Sequence, residues 1–328
     1  MRRREFFTLL GGAAAAWPLP ARAQQPTMPI VGFVSGRSAD TAVREVAAFR
    51  KGFNETGYVE GQNATIEYHW LEGQYDRLPS LMGDFVRRRV AVIATLGSNP
   101  AALAAKAATA TIPIVFAVSE DAVRMGLVTS LARPGGNATG INFLTIDVAS
   151  KRLALLHELV PKAVRIAVLV NPTNAPSAEG TLQQVPETGR TLGLQIAVLE
   201  ARTSREIEEA FATLARDRAD ALFVAPDAFF ITRRVQFATL AARRGIPTAY
   251  STRDEVEAGG LMSYGVDILH AWHQVGLYTG QILKGAKPAD LPVVQSTKFE
   301  FVINLQTARA LGIEIPNSLQ LLADEVIE

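Results

Sequence analysis

The residues able to do chemistry in this chain are few and poorly spaced for catalysis. His270 and His273 stand three apart, which puts two side chains on one helix face. A metal would need at least one further ligand, and no acidic residue lies at a fitting spacing. His157 falls in an apolar helical stretch, where packing with a local hydrogen bond is expected, and His69 is isolated. The segment Leu261-Met262-Ser263-Tyr264-Gly265 comes nearest to a nucleophile elbow, but it lacks the first glycine and reads as a strand near a hinge. Ser35-Gly36-Arg37-Ser38 follows the first strand and matches neither glycine-rich phosphate cradle. The chain has no cysteine, which removes disulfides, thiolate metal sites and a cysteine nucleophile. No catalytic residue, metal site or cofactor is assigned.

Two carboxylates, Asp121 and Asp227, offer the one enzymatic alternative: an acid–base pair across a cleft, in a hydrolase or isomerase. What recurs more consistently is a small polar residue just past the end of an apolar run. In the first half of the chain these are Ser35, Thr95, Ser98, Ser119 and Asp121. In the second half they are Asn174, Asp227 and Ser251. Hydroxyls and free backbone N–H groups at helix starts suit a carboxylate, and acidic groups facing them suit an ammonium. Ser98 and Asp227 also precede helices and are expected to cap them. Phe229 and Tyr264 offer an apolar wall. The expected ligand is a small carboxylated or zwitterionic solute, bound reversibly.

These loops need elements to hold them. From Pro29 onward, β-branched runs such as 30–34, 90–94 and 112–117 alternate with helical stretches. That alternation predicts parallel sheets covered by helices on both faces. The turn cluster Arg133-Pro134-Gly135-Gly136-Asn137 interrupts the pattern, after which it begins again in the same style with strands at 165–170, 194–199, 219–225 and 246–250. The fold class is α/β, with two doubly wound parallel-sheet lobes joined by a multi-strand hinge. The first lobe is expected to take residues 29–142 plus about 261–298, and the second 143–260 plus about 299–328. In open sheets of this kind ligands bind beyond the C-terminal strand ends, where the polar residues above stand.

Residues 1–23 read as an address. Arg2, Arg3 and Arg4 precede an apolar run from Phe6 to about Leu19, and Ala21-Arg22-Ala23 has the small residues of a cleavage site. The run is too short for a membrane span, and no later stretch is long enough. The paired arginines followed by Glu5, Phe6 and Phe7 resemble a twin-arginine signal. Cleavage after Ala23 would release a periplasmic product, with no cysteine to carry a lipid anchor and no stable membrane insertion. The formal charge is +1 for the whole chain. The leader holds four arginines against one glutamate, so its removal leaves −2. That balance, without a basic block, lacks the footprint of nucleic-acid binding.

Several stretches carry a family resemblance. They are Gly73-Gln74-Tyr75-Asp76-Arg77-Leu78-Pro79, the run Ala107 to Phe116, and Leu131 to Gly140 with its Arg-Pro-Gly-Gly-Asn core. Gly259 to Gly265 and Lys284-Gly285-Ala286-Lys287-Pro288 add to them. Together they resemble the tryptophan/tyrosine-type substrate-binding proteins of ABC importers, within the type I periplasmic binding-protein fold. The resemblance covers nearly all of the chain past residue 33. It implies about three crossings between the lobes, ligand capture by hinge closure, a monomer, and a permease with its ATPase as partners. Asp121-Ala122-Val123 departs from the family's Asp-Pro-Val, keeping the aspartate and losing the proline's constraint. A ligand-sensing partner of a membrane receptor would use the same two lobes and is the remaining alternative.

Overall fold

The computed structural model describes residues 28–143, 148–296 and 298–328; the export signal expected at residues 1–23 lies outside them. In the first half, β1 (Ile30–Ser35), α1 (Val43–Glu55), β2 (Thr65–Trp70), α2 (Leu78–Arg88), β3 (Val92–Leu96), α3 (Asn99–Ala108), β4 (Ile114–Val118) and β5 (Ala138–Asn142) follow in sequence. In the second half come α4 (Ala149–Leu159), β6 (Arg165–Val170), α5 (Ala175–Thr191), β7 (Gln195–Glu200), α6 (Ser204–Asp217) and β8 (Ala221–Val224). They continue with α7 (Ala228–Thr232), α8 (Arg234–Arg244), β9 (Thr248–Tyr250), α9 (Arg253–Glu257) and β10 (Met262–Val266). The chain closes with α10 (Ile268–Leu283), β11 (Val294–Gln295), β12 (Phe299–Asn304), α11 (Leu305–Ala310), α12 (Asn317–Leu322) and β13 (Glu325–Ile327).

Among the described residues the strands form two sheets, ordered β11-β5-β4-β3-β1-β2 and β13-β12-β10-β9-β8-β6-β7. Every pairing is parallel except β10 with β12. The central strands are buried along nearly their whole length, as strands covered by helices on both faces must be. Each sheet therefore has two apolar layers. In the first lobe Phe33, Phe49, Tyr68, Trp70 and Trp272 pack together under α1 and α10. The pair α1 and α10 approaches closely because glycines face backbone. A Cβ on Gly52 would stand 2.0 Å from the His273 carbonyl oxygen, and one on Gly276 would stand 2.1 Å from that of Phe49.

The chain passes between the sheets three times: after β5, at Asp267, and between β11 and β12. The return expected near residue 261 falls later in the chain. β10 pairs with β9 and β12, so residues 262–266 belong to the second sheet and the crossing falls at Asp267. The second and third crossings are laced together. The Asp267 N–H donates to the Lys298 carbonyl at 3.1 Å, and Lys298 Nζ lies 2.9 Å from Asp267 Oδ2. Asp267 also caps α10, accepting from the N–H groups of Leu269 and His270. Two helices, α7 and α8, follow β8 and meet at Arg233. His157 does not gain its expected local hydrogen bond, since its Nδ1 is buried without a partner.

One buried acid in this framework gives a pH prediction. Glu255 closes a capping box at the start of α9, accepting from the Thr252 N–H at 3.1 Å. Burial pushes its pKa from 4.5 up to about 7, against the opposing pull of the Thr252 donors and the Arg152 guanidinium. Between those two values the folded chain holds a proton that the unfolded chain has lost, so stability falls as pH rises through that window. Glu255→Gln keeps the box and removes the titration. Its Tm is expected to match wild type near pH 5 and exceed it near pH 8, by a free energy of up to about 3 kcal/mol. Parallel Tm–pH profiles for the two proteins would show that Glu255 does not titrate there.

Candidate functional site

The C-terminal ends of both parallel sheets point into the space between the lobes, and the two lobes touch there. Gly36, just past β1, has no side chain, and Ala228 at the start of α7 fills the space: a Cβ on Gly36 would lie 2.6 Å from Ala228 Cβ. The same point would be 3.4 Å from Ser98 Cβ and 3.5 Å from the Tyr75 hydroxyl. That hydroxyl, from the first lobe, stands 3.5 Å from Asp227 Oδ2 of the second, a long contact by hydrogen-bond standards. Gly73 lies against the Phe229 ring, its would-be Cβ 3.0 Å away. Three strand ends from the first lobe, those of β1, β2 and β3, and one helix start from the second thus meet at one place.

Asp227 is almost wholly buried and well supplied with donors. Its Oδ1 accepts from Asn171 Nδ2 at 3.1 Å and from the N–H groups of Phe229 and Phe230. Its Oδ2 accepts from Asn174 Nδ2 at 2.9 Å. Burial raises its pKa, and the two amides and two backbone N–H groups work against that rise. Tyr75, enclosed beside this carboxylate, has its pKa raised first by burial and then by the negative charge of Asp227. The capping role expected of Ser98 is also present: its hydroxyl accepts from the Ala101 N–H at 3.2 Å.

The other expected site residues divide. Ser35 is buried at the end of β1 and accepts from the Arg37 N–H. Thr95 is fully buried and its hydroxyl has no partner. Ser119 and Asn99 exchange two hydrogen bonds, both 3.0 Å. Asn174 lies at the start of α5 with its Oδ1 unpartnered. Ser251 is buried, its carbonyl oxygen against Gly265. Phe229 packs in the second-lobe core with the Arg233 guanidinium over its ring at 5.3 Å. Tyr264 does not join this group; its ring stacks on Phe299 at 6.0 Å in the hinge strands. Asp121 serves its own turn, accepting from the N–H groups of Val123 and Arg124. No hydrogen bond connects it with Asp227. Ser263 sits inside β10 between Tyr250 and Val302, where no nucleophile elbow exists. Among the described residues no cluster of His, Asp or Glu could hold a metal, and His273 pairs instead with Glu55 at 3.0 Å.

Sequence reasoning missed Arg37. Its side chain is 1% exposed, and Nη1 donates to Glu45 at 2.5 Å and to Asp254 of the other lobe at 2.6 Å. Burial opposes the charge on Asp254, but the Arg37 guanidinium outweighs it and lowers the pKa. Burial prevails at Glu45, whose pKa is raised despite Arg37. Above this triad the gap opens into a polar cavity of about 380 Å³ lined by Arg44, Arg234, Asp254 and Glu257. Elsewhere along the rim a second cavity, about 580 Å³, lies between Glu120 and Arg124 of the first lobe and Pro176, Glu179 and Gln183 of the second.

Two α/β lobes, three crossings and polar strand ends that meet in the gap define a hinged binding protein. The chain belongs to the family of ABC transporter substrate binding proteins, whose model matches residues 28–327. A tyrosine-binding protein of Clostridioides difficile is 28% identical over 292 residues, covering 89% of this chain and 82% of that protein. A conserved domain protein of Vibrio cholerae superposes with a TM-score of 0.83 at 26% identity, covering 91% of this chain and 99% of its own. An ABC domain from Streptococcus pneumoniae in complex with L-Trp gives 0.81 at 25% identity, with the same coverage. The chain is accordingly a periplasmic-type ligand-binding protein that takes a small solute between its lobes. It is a carrier rather than an enzyme, and membership implies a cognate permease and ATPase.

Proposed function

We propose that the protein is exported, cleaved after Ala23, and captures an L-α-amino acid, aromatic ones foremost, for delivery to an ABC permease. The observation that carries the reading is the meeting of polar strand ends from both lobes: Ser35, Ser98 and Tyr75 against Asp227, with Asn174 beside it. In this reading the first lobe supplies hydroxyls and Thr95, Ser98 and Ser119 face the carboxylate. The second lobe supplies Asn174, Asp227 and Ser251 toward the ammonium, and Phe229 forms part of the wall. Ligand specificity follows from such side chains rather than from the fold. The tyrosine-binding relative and the L-Trp complex support an amino acid as the solute. A ligand drives closure only by its greater affinity for the closed form, and every group named here becomes more effective once water is excluded.

Titration with L-tyrosine, L-tryptophan and the other amino acids, followed by thermal unfolding, tests the proposal. At a hundredfold excess over Kd, binding adds about 2.7 kcal/mol to stability, which is a Tm rise of roughly 5–10 °C. Native mass spectrometry of gently prepared protein reads the retained solute and, from the chain mass, an N-terminus at Gln24. A Tm unmoved by every amino acid would end the reading.

A further inference from the structure

A buried polar atom without a partner costs about 1–3 kcal/mol, so proteins keep few of them. Among the described residues Asn142 is the one amide side chain with both its donor and its acceptor orphaned: it is fully buried, and neither Oδ1 nor Nδ2 has a hydrogen-bond partner. Its backbone is fully employed. Asn142 lies level with Val118 on β4 and Gln295 on β11, its carbonyl accepts from the Ser296 N–H at 3.0 Å, and the next N–H, that of Phe143, donates to Val118. The residue is therefore held firmly in place, with an amide that does nothing for the fold. A leucine of similar shape would fill the same volume at no polar cost.

Its location gives the amide a use. Asn142 is the last residue of β5, at the C-terminal edge where open sheets bind ligands. Thr95, level with Phe116 two residues before Val118, projects from the same face of the sheet, and its buried hydroxyl is also unpartnered. The second lobe holds a matching orphan, Asn174 Oδ1, at the start of α5. An amide presents two donor hydrogens on nitrogen and two lone pairs on oxygen. A zwitterionic head group presents the complement: carboxylate oxygens to accept and an ammonium to donate.

We infer that Asn142 is a specificity residue that reads the α-amino-acid head group, Nδ2 donating to the carboxylate and Oδ1 accepting from the ammonium. This rests on the amino-acid reading proposed above. Thr95 adds a donor to the carboxylate, and Asn174 Oδ1 a second acceptor for the ammonium. Solutes lacking either charge leave one end of the Asn142 amide unpaired in the closed lobes, so the site discriminates against simple acids and simple amines.

The test is Asn142→Leu, probed with L-tyrosine, with its desamino acid 3-(4-hydroxyphenyl)propanoate and with tyramine. Loss of two hydrogen bonds to charged groups is expected to weaken L-tyrosine on the order of 100-fold. The ligand-free Tm should stay equal or rise, because the orphaned amide is gone. Wild type should prefer L-tyrosine over both truncated probes, and the variant should lose most of that preference. Unchanged affinity for L-tyrosine overturns the assignment. So does a ligand-free Tm lowered by several degrees, which would give Asn142 a structural role around an internal water. If wild type binds no amino acid, the amino-acid reading fails instead. In that event an equal or higher ligand-free Tm for N142L still marks Asn142 as reserved for another solute, and a lowered one overturns it.

Discussion

Replacing Gly36 with valine is expected to stop the lobes from closing while leaving each lobe folded. A Cβ at this position would stand 2.6 Å from Ala228 Cβ in the other lobe, whereas its neighbours in its own lobe lie at 3.4 and 3.5 Å. At the Cβ the conflict therefore exists only across the gap. Opening the hinge relieves it, so the ligand-free protein has an escape that a core substitution lacks. Ligand affinity depends on the closed form, and a closed form made inaccessible lowers apparent affinity by the fraction lost. We expect a fall on the order of 100-fold, with the ligand-free Tm nearly unchanged. Small-angle scattering should show no contraction on adding solute, where wild type contracts. Wild-type affinity in G36V would mean that the ligand is held without lobe contact at Ala228.

Arg37→Met should damage the protein in a different way. Removing the guanidinium leaves Glu45 buried without its cation and Asp254 without its cross-lobe partner. Breaking a buried pair from one side costs about 3–5 kcal/mol, because the remaining charge is uncompensated. That predicts a Tm lower by on the order of 10 °C. Asp254→Asn provides the contrast. The Arg37–Glu45 contact within the first lobe survives, and only the cross-lobe ion pair is lost. Its ligand-free Tm should stay near wild type while its bound solute dissociates faster. The exposed pair Arg44–Glu257, 3.5 Å apart, also spans the gap, yet its solvent access makes it worth little. If D254N and R37M lost equal stability, the buried pair would be a structural element of the resting protein and not a contact of closure.

Much of the fold was legible because its strands are short β-branched runs and its helices end at glycine or proline. The parallel character followed from near-continuous apolarity in runs such as Val92–Leu96 and Ile114–Val118. The hinge boundary was harder. Gly259 and Gly260 mark a break in local pattern, but whether 262–266 joins the first or the second sheet is decided by pairing with Phe299–Ile303, far along the chain. Ser98 and Asp227 were readable because helix caps have local signatures. Arg37 had none: its partner Asp254 is 217 residues away, and nothing local distinguishes a buried arginine from a solvated one. Asn142 was invisible for a related reason, since a missing hydrogen bond is a property of the surroundings rather than of the residue. Tyr264 has a stacking partner, Phe299, 35 residues further along the chain, which no local pattern announces.

The lacing of Asp267 to Lys298 has a mechanical consequence. Two strands fastened side by side form a flat strip, and a strip bends readily about one axis but resists being wrung. With the neighbouring helix clamped onto its own half of the molecule through Gly52 and Gly276, the share of any swivel that this crossing takes up must fall within a residue or two of Asp267. The motion available to the protein is then that of a book cover and not of a ball joint, so the opposing faces return to the same alignment on every cycle.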